Sequence, residues 1–293
     1  MHRRILHNDE IRDAGEKTTS PGQVGLLNGW GVFSTIRVAD GVLFAFERHW
    51  ERMKRDATLL RVPFPTEAVW MESRLRRLVE ANDARNATLR VVVVRNHGGP
   101  YEAPGIDREF DLIGFTTDLL EWPETVSLAL KADGRHAKSE FAGTKVLSWA
   151  FNLTWNEQAH ERGFDEVVLL NERGEVSECT SANIFVIEGE RVWTPPLSSG
   201  CLPGITRALL LEEVVLPGIR IAEKTLMPED MENADRVFIT STTRDALPVR
   251  AIETLRVKSG GDAVLTGIQQ ALAGYRREYA ARNAGTVAVR EGA

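Results

Sequence analysis

The chain has 293 residues, 43% of them hydrophobic, and a formal net charge of −6. That length suffices for two domains or one large one, and the acidic balance excludes a basic nucleic-acid face as the default partner surface. No run approaches the ~20 apolar residues of a membrane-spanning helix, and Met1-His2-Arg3-Arg4 has no apolar segment behind it, so neither a membrane span nor a signal peptide is read.

Residues 1–22 read as a polar, turn-rich surface stretch. The glycine-punctuated run 24–38 becomes strand-like from Val32. Ala39-Asp40-Gly41 is a hairpin signal, with Val42 to Phe46 as its return strand. Glu47 to Leu60 reads as a helix, because Trp50, Met53, Ala57 and Leu60 recur on one helical stripe; Pro63 and Pro65 end it. Thr66 to Ala81 predicts a second helix. Ala87 to Val94 is a β-branched, buried strand, and Asp111 to Thr116 is another. Thr117 to Glu124 reads as a connector. The domain boundary is placed there, with residues 1–120 as a small α/β domain and 121–293 as a larger one.

Strand character resumes over Val126 to Lys131. Lys145 stands just ahead of a predicted helix, Leu147 to Arg162, with Leu147, Ala150, Phe151, Trp155 and Ala159 on one side and Gly163 closing it. Glu166–Leu170 and Glu175–Glu178 flank a turn at Asn171-Glu172-Arg173-Gly174, and Asn183–Ile187 and Arg191–Thr194 form a second hairpin. Pro203-Gly204 announces a helix over Ile205 to Val215. Arg236–Thr240 is a strand leading into Ser241-Thr242-Thr243-Arg244. The last helix is placed at about Gly267 to Arg282, with a loose tail after it.

Three features carry chemistry. Lys145 follows the small residues Ala142-Gly143-Thr144, which leave room for a ring to approach an amine able to form a Schiff base. Glu178 lies among Ser177, Cys179, Thr180, Ser181 and Ala182. A carboxylate so placed keeps a pyridine nitrogen protonated, so that the ring draws electrons. Leu202-Pro203-Gly204-Ile205-Thr206-Arg207 offers free N–H groups and the positive end of a helix to a phosphate. Ser241-Thr242 adds hydroxyls, and Arg52, beside the apolar stripe of its helix, adds a charged donor. Each alone is ordinary: a solvated lysine, a strand glutamate, a Pro-Gly turn, a loop, a surface arginine. The two cysteines, Cys179 and Cys201, form no CxxC pair and fit a reducing cytoplasm. The six histidines show no HExxH spacing, so no metal is expected.

Taken together, the order Arg52, Lys145, Glu178, Ile205-Thr206, Ser241-Thr242 resembles the class IV aminotransferases, the fold-type IV pyridoxal-phosphate enzymes, from Gly25 to Val249. The most specific parts are Ser177-Glu178-Cys179-Thr180-Ser181-Ala182-Asn183-Ile184-Phe185 and Thr194-Pro195-Pro196 followed by Leu202-Pro203-Gly204-Ile205-Thr206-Arg207. His49-Trp50-Glu51-Arg52 resembles the family's helix with a histidine three residues before the phosphate arginine. The resemblance implies an α/β (α+β) two-domain fold. A small α/β domain would be joined to a larger pseudo-barrel domain that carries the Schiff-base lysine, with the site between them, in a homodimer. It also implies that Lys145 holds pyridoxal 5′-phosphate and moves the substrate proton, and that Glu178 pairs with the pyridine nitrogen. Arg52, the backbone of Ile205 and Thr206, Ser241 and Thr242 would hold the phosphate, and Leu202 would pack on the ring.

The expected reaction moves an amino group between an amino acid or amine and a 2-oxo acid. Arg37, Arg90 and Thr35 are the candidate substrate residues. Arg90 falls where branched-chain aminotransferases place a pocket arginine, but Asn28, Thr88 and Ala150 stand where that group has tyrosines, and Arg95-Asn96-His97-Gly98, although it spells Arg-x-His, is read as an arrangement different from that of D-amino-acid enzymes. The alternatives are a 4-amino-4-deoxychorismate lyase releasing pyruvate, to which Phe33-Ser34-Thr35-Ile36-Arg37-Val38, with its threonine before the apolar-Arg pair, and Ser177-Glu178-Cys179 lean, and a pyridoxal-phosphate-binding protein without turnover. Lys145 with Glu178 argues against the last, because storage needs no electron-sink carboxylate.

Overall fold

Two β-sheets organise the chain, seen in a computed structural model that describes residues 1–99, 102, 104–258 and 263–284. By their contacts the described residues divide into two units. One comprises residues 1–120, 145–149 and those from Arg276 on; the other comprises 121–144 and 150–275.

The first unit is built on strands β1 (Arg4–His7), β2 (Glu10–Asp13), β3 (Gly31–Ala39), β4 (Val42–Leu43), β5 (Ala87–Arg95) and β6 (Phe110–Asp118), with helices α1 (Val24–Asn28), α2 (Phe46–Leu59) and α3 (Ala68–Ala81). The strands form one sheet in the order β2-β1-β6-β5-β3-β4, every pair antiparallel. α2 forms because its apolar stripe matches the helical period. Trp50, Met53 and Ala57 are buried against Val32, Ile36 and Val38, the residues on one face of β3. The predicted return strand stops at Leu43. Ala45 takes a left-handed conformation (φ 52°) and Phe46 is already helical. Residues 1–22 are not mere surface: β1 and β2 form a hairpin on β6, and Leu6 is fully buried in the core. With two adjacent apolar residues in a four-residue strand, there was no period to read.

The second unit carries β7 (Val126–Arg135), α4 (Ala150–Glu161), β8 (Glu166–Asn171), β9 (Val176–Cys179), β10 (Asn183–Glu188), β11 (Arg191–Thr194), α5 (Ile205–Glu212), β12 (Arg220–Glu223), α6 (Pro228–Asn233), β13 (Arg236–Ser241) and β14 (Asp245–Ile252); α7 (Ala263–Ala284) begins in it. Its eight strands run β12-β11-β10-β13-β14-β7-β8-β9, mix parallel and antiparallel pairs, and curl into half a barrel. Val126, Leu128, Val168, Ile184, Val237 and Ile239 fill one core. Phe185 and Phe238, stacked at 4.9 Å, anchor another under α7. β12, α6 and β14 were not anticipated.

The helix expected from Leu147 begins only at Ala150. Val146 instead bridges Val32, and the N–H of Leu147 donates to the Gly31 carbonyl at 3.0 Å, so this stretch lies extended along the open edge of β3. The expected apolar side of α4 is corrected too. Phe151 is 75% exposed, while Asn152 is buried because it is hydrogen-bonded on both ends of its amide. The expected tail lies, from Gly285 on, outside the described residues.

Candidate active site

In the first unit, Lys145 is pinned by its backbone. Its N–H donates to Asp56 Oδ2 at 3.0 Å, and its carbonyl accepts from the Phe33 N–H at 3.1 Å. Asp56 is 1% exposed and is held in turn by Arg55. The lysine Nζ lies 4.6 Å from the centre of the Phe33 ring and 5.8 Å from that of Trp149. α2 thus contributes His49, Arg52 and Asp56, a buried polar row beside its apolar stripe.

Ser34 sits where strand alternation turns it toward α2. Arg52 Nη2 donates to Ser34 Oγ at 2.8 Å. Because a guanidinium only donates, the serine proton is left for His49 Nδ1, 2.7 Å away, and the histidine carries its own proton on Nε2. Burial, then the charges of Arg52 and Lys145, push His49 well below its ordinary pKa, so it is a neutral donor. That Nε2–H is buried and has no partner among the described residues. Burial also brings Arg52 down to about 10, against the attraction of Asp56. An orphaned N–H next to a buried guanidinium fits a phosphate.

On the opposite face of β3 and β5, Thr35 stands across from Arg90, whose Nη1 donates to the threonine hydroxyl at 3.2 Å. The Arg90 guanidinium lies 3.7 Å from the Phe33 ring centre. It has no carboxylate partner among the described residues, and burial lowers it to about 10. Arg37 shares that face by alternation.

In the second unit, Glu178 is 7% exposed. Its Oε1 accepts from Arg135 Nε at 2.8 Å and its Oε2 from the Leu202 N–H at 3.0 Å. A carboxylate offers about four lone-pair directions, so acceptor capacity remains for a pyridinium N–H. The Leu202 carbonyl accepts from Asn183 Nδ2 at 2.9 Å. Gly204 is required next to it, since a Cβ there would come within 2.0 Å of Asn183 Oδ1. Gly204 also caps α5 without a side chain, which leaves the N–H groups of Ile205 and Thr206 to a ligand. Asn183 pairs with Thr240 across β10 and β13, so the Ser241-Thr242 turn starts beside the residue that clamps Leu202. The two thiols are not nucleophiles: burial raises Cys179 well above its usual value and Cys201 to about 12.

Within the first unit Lys145, Arg52, Arg90 and Thr35 cluster around β3, and within the second Glu178, Leu202, Ile205, Thr206, Ser241 and Thr242 cluster at one end of the sheet. Sequence reasoning missed Asp56, Ser34, Trp149, Arg135, Asn152 and Asn183. Ser34 and Asn183 lay within stretches that carry the resemblance without being given a role, and Asp56 left a signal of its own, since His49, Arg52 and Asp56 follow helical spacing.

The fold has solved counterparts. The branched-chain amino acid aminotransferase of Escherichia coli superposes with a TM-score of 0.84 at 24% identity, over 94% of this chain and 95% of that one. A candidate 4-amino-4-deoxychorismate lyase of Legionella pneumophila superposes at 0.80 with 23% identity, over 89% and 96%. These define a fold-type IV architecture. In sequence, the D-alanine aminotransferase of Bacillus licheniformis is 28% identical over 274 residues, 92% of this chain and 95% of that protein. The amino-transferase class IV family model matches residues 31–252, and the chain belongs to that family, whose members use pyridoxal phosphate.

Proposed function

We propose that the protein transfers an amino group from an amino acid, of branched-chain or D-type, or from an amine, to a 2-oxo acid, and that it does so as a homodimer in the cytoplasm. The observation that carries the reading is the shared aromatic ring: the Lys145 amine and a carboxylate-free Arg90 both lie against Phe33. A substrate carboxylate drawn to Arg90 would bring its α-carbon toward that amine.

Pyridoxal phosphate, when bound, supplies an electron sink that makes the Cα proton easier to remove. The chain's own groups do the rest. Lys145 Nζ would anchor the cofactor and would be the group that carries the Cα proton. Glu178, hydrogen-bonded to Arg135, would face the pyridine nitrogen, and Leu202 would pack on the ring. Phosphate contacts would come from Arg52, with His49 Nε2–H beside it, in the first unit, and from the N–H groups of Ile205 and Thr206 and the hydroxyls of Ser241 and Thr242 in the second. Arg90, with Thr35, orients the substrate, and Arg37 shares that face.

The lyase is the second reading, favoured by Thr35. Its oxygen accepts from Arg90, which leaves its own proton to be given to a leaving group. The test is to mix purified holoenzyme with L-amino acids, D-amino acids and (R)-amines singly and follow the cofactor's absorbance. Loss of the band with one class, with pyridoxamine phosphate formed, supports transamination and gives its stereochemistry. A band stable against the whole panel, with pyruvate released from aminodeoxychorismate, would replace this reading with the lyase.

A further inference from the structure

Glu166, the first residue of β8, is 1% exposed and has no part in the roles above. A carboxyl group in such a place needs hydrogen-bond donors to replace its water. Five donors do so. Oε1 accepts from the Val167 N–H at 2.9 Å, from Asn156 Nδ2 at 3.4 Å and from the Thr180 hydroxyl. Oε2 accepts from Ser181 Oγ at 2.5 Å and from Arg244 Nη2 at 3.2 Å. The Arg244 side chain is itself only 9% exposed. Its Nη1 donates to the Ser181 carbonyl at 3.1 Å, and its guanidinium lies 4.0 Å from the Trp122 ring centre.

These partners belong to two particular turns. Thr180 and Ser181 join β9, which carries Glu178, to β10. Arg244 ends the turn between β13 and β14, and its N–H donates to Ser241 Oγ at 3.2 Å. One buried ion pair therefore ties the turn after Glu178 to the turn that holds Ser241 and Thr242. A side-chain chain reaches Glu178 as well. The Thr180 carbonyl accepts from Asn152 Nδ2 at 3.0 Å, Asn152 Oδ1 accepts from Arg135 Nη1 at 3.1 Å, and Arg135 Nε donates to Glu178.

We propose that the Glu166–Arg244 pair is a positioning brace, which fixes the Ser241-Thr242-Thr243 backbone relative to the Glu178 strand so that the phosphate end of the site is ordered before cofactor binds. The proposal rests on the reading of Ser241 and Thr242 as phosphate ligands. A turn held in its binding conformation loses little freedom on binding, whereas a loose one must be ordered at the expense of affinity. The brace should therefore be felt only by a ligand that carries the phosphate.

The experiment compares the affinity of the full-length apoprotein for pyridoxal phosphate and for pyridoxal, which lacks the phosphate. Glu166→Gln and Arg244→Gln should each weaken pyridoxal phosphate about tenfold or more and leave pyridoxal within about twofold. The double variant should lose no more than either single one, because the two act as a unit. Equal weakening of both ligands, or of neither, would overturn the brace. Should these variants fail to fold by circular dichroism, Ser181→Ala removes one donor without a charge. It must show the same selective loss, and unchanged selectivity overturns the proposal. Ser241→Ala/Thr242→Ala separates the two readings. If that variant keeps full selectivity for the phosphorylated ligand, the phosphate assignment fails; if it loses selectivity while the brace variants do not, only the brace fails.

Discussion

Asp111 concentrates more hydrogen bonds than most carboxylates of the first unit. Burial pushes its carboxyl up, but donors from His7, Asn8 and Asn96 and the charge of His7 outweigh burial and hold it at about 2, below its ordinary 3.8. A depressed carboxyl contributes stability in full above its unfolded pKa and loses it as pH falls through the folded one. The window is thus from about 3.8 down to about 2, and the shift corresponds to about 2 kcal/mol. Asp111→Asn should flatten the acid arm of the urea-unfolding stability curve in that window, and parallel curves for the two proteins would refute the depressed carboxyl. At Lys145 the expected effect is on chemistry alone. Lys145→Ala keeps the backbone bonds to Asp56 and Phe33, so the melting temperature should change little while turnover disappears. Normal turnover in that variant would remove Lys145 from the mechanism.

At the scale of elements, the turn before α5 is the most exacting. Gly204→Ala places a methyl group 2.0 Å from Asn183 Oδ1, so the Asn183 amide must leave the Leu202 carbonyl. The lost bond costs about 1 kcal/mol, and the Leu202 N–H moves off Glu178 with it. Cofactor should then escape about tenfold faster on dialysis, and retention equal to wild type would show that the turn tolerates the shift. This turn was legible because Pro-Gly before an apolar run is a local signal, as was the α2 stripe. Arg135 was not. It ends β7 in a charged stretch that reads as surface, and only the pairing of β7 with β8 and of β8 with β9 brings it to Glu178. The Lys145–Trp149 stretch was misread because Val146 and Leu147 fit a helical period equally well. Their backbone groups were claimed by the unpaired edge of β3, which no local pattern records. β14 was hidden by Pro248, which argues against a strand in sequence although this one pairs on both sides.

For the molecule as a whole, the proposed homodimer makes a claim about surface. α4 shows solvent Phe151, 75% exposed, and Leu153, 58% exposed, with the Phe151 ring stacked on Trp155 at 6.1 Å. Covering a side chain of this size by a second copy is worth about 1.5–3 kcal/mol, and a symmetric interface counts each contribution twice. A carboxylate at the same place would have to be buried without a partner, which reverses the sign of the contribution. Phe151→Asp should therefore shift a particle of twice the 32.6 kDa chain mass toward the single chain in sedimentation. Its far-ultraviolet circular dichroism should stay unchanged, because an exposed ring contributes little to the core. If wild type sediments as a single chain, the homodimer fails outright. If both proteins sediment as dimers, the dimer stands and its interface lies on a face other than that of α4.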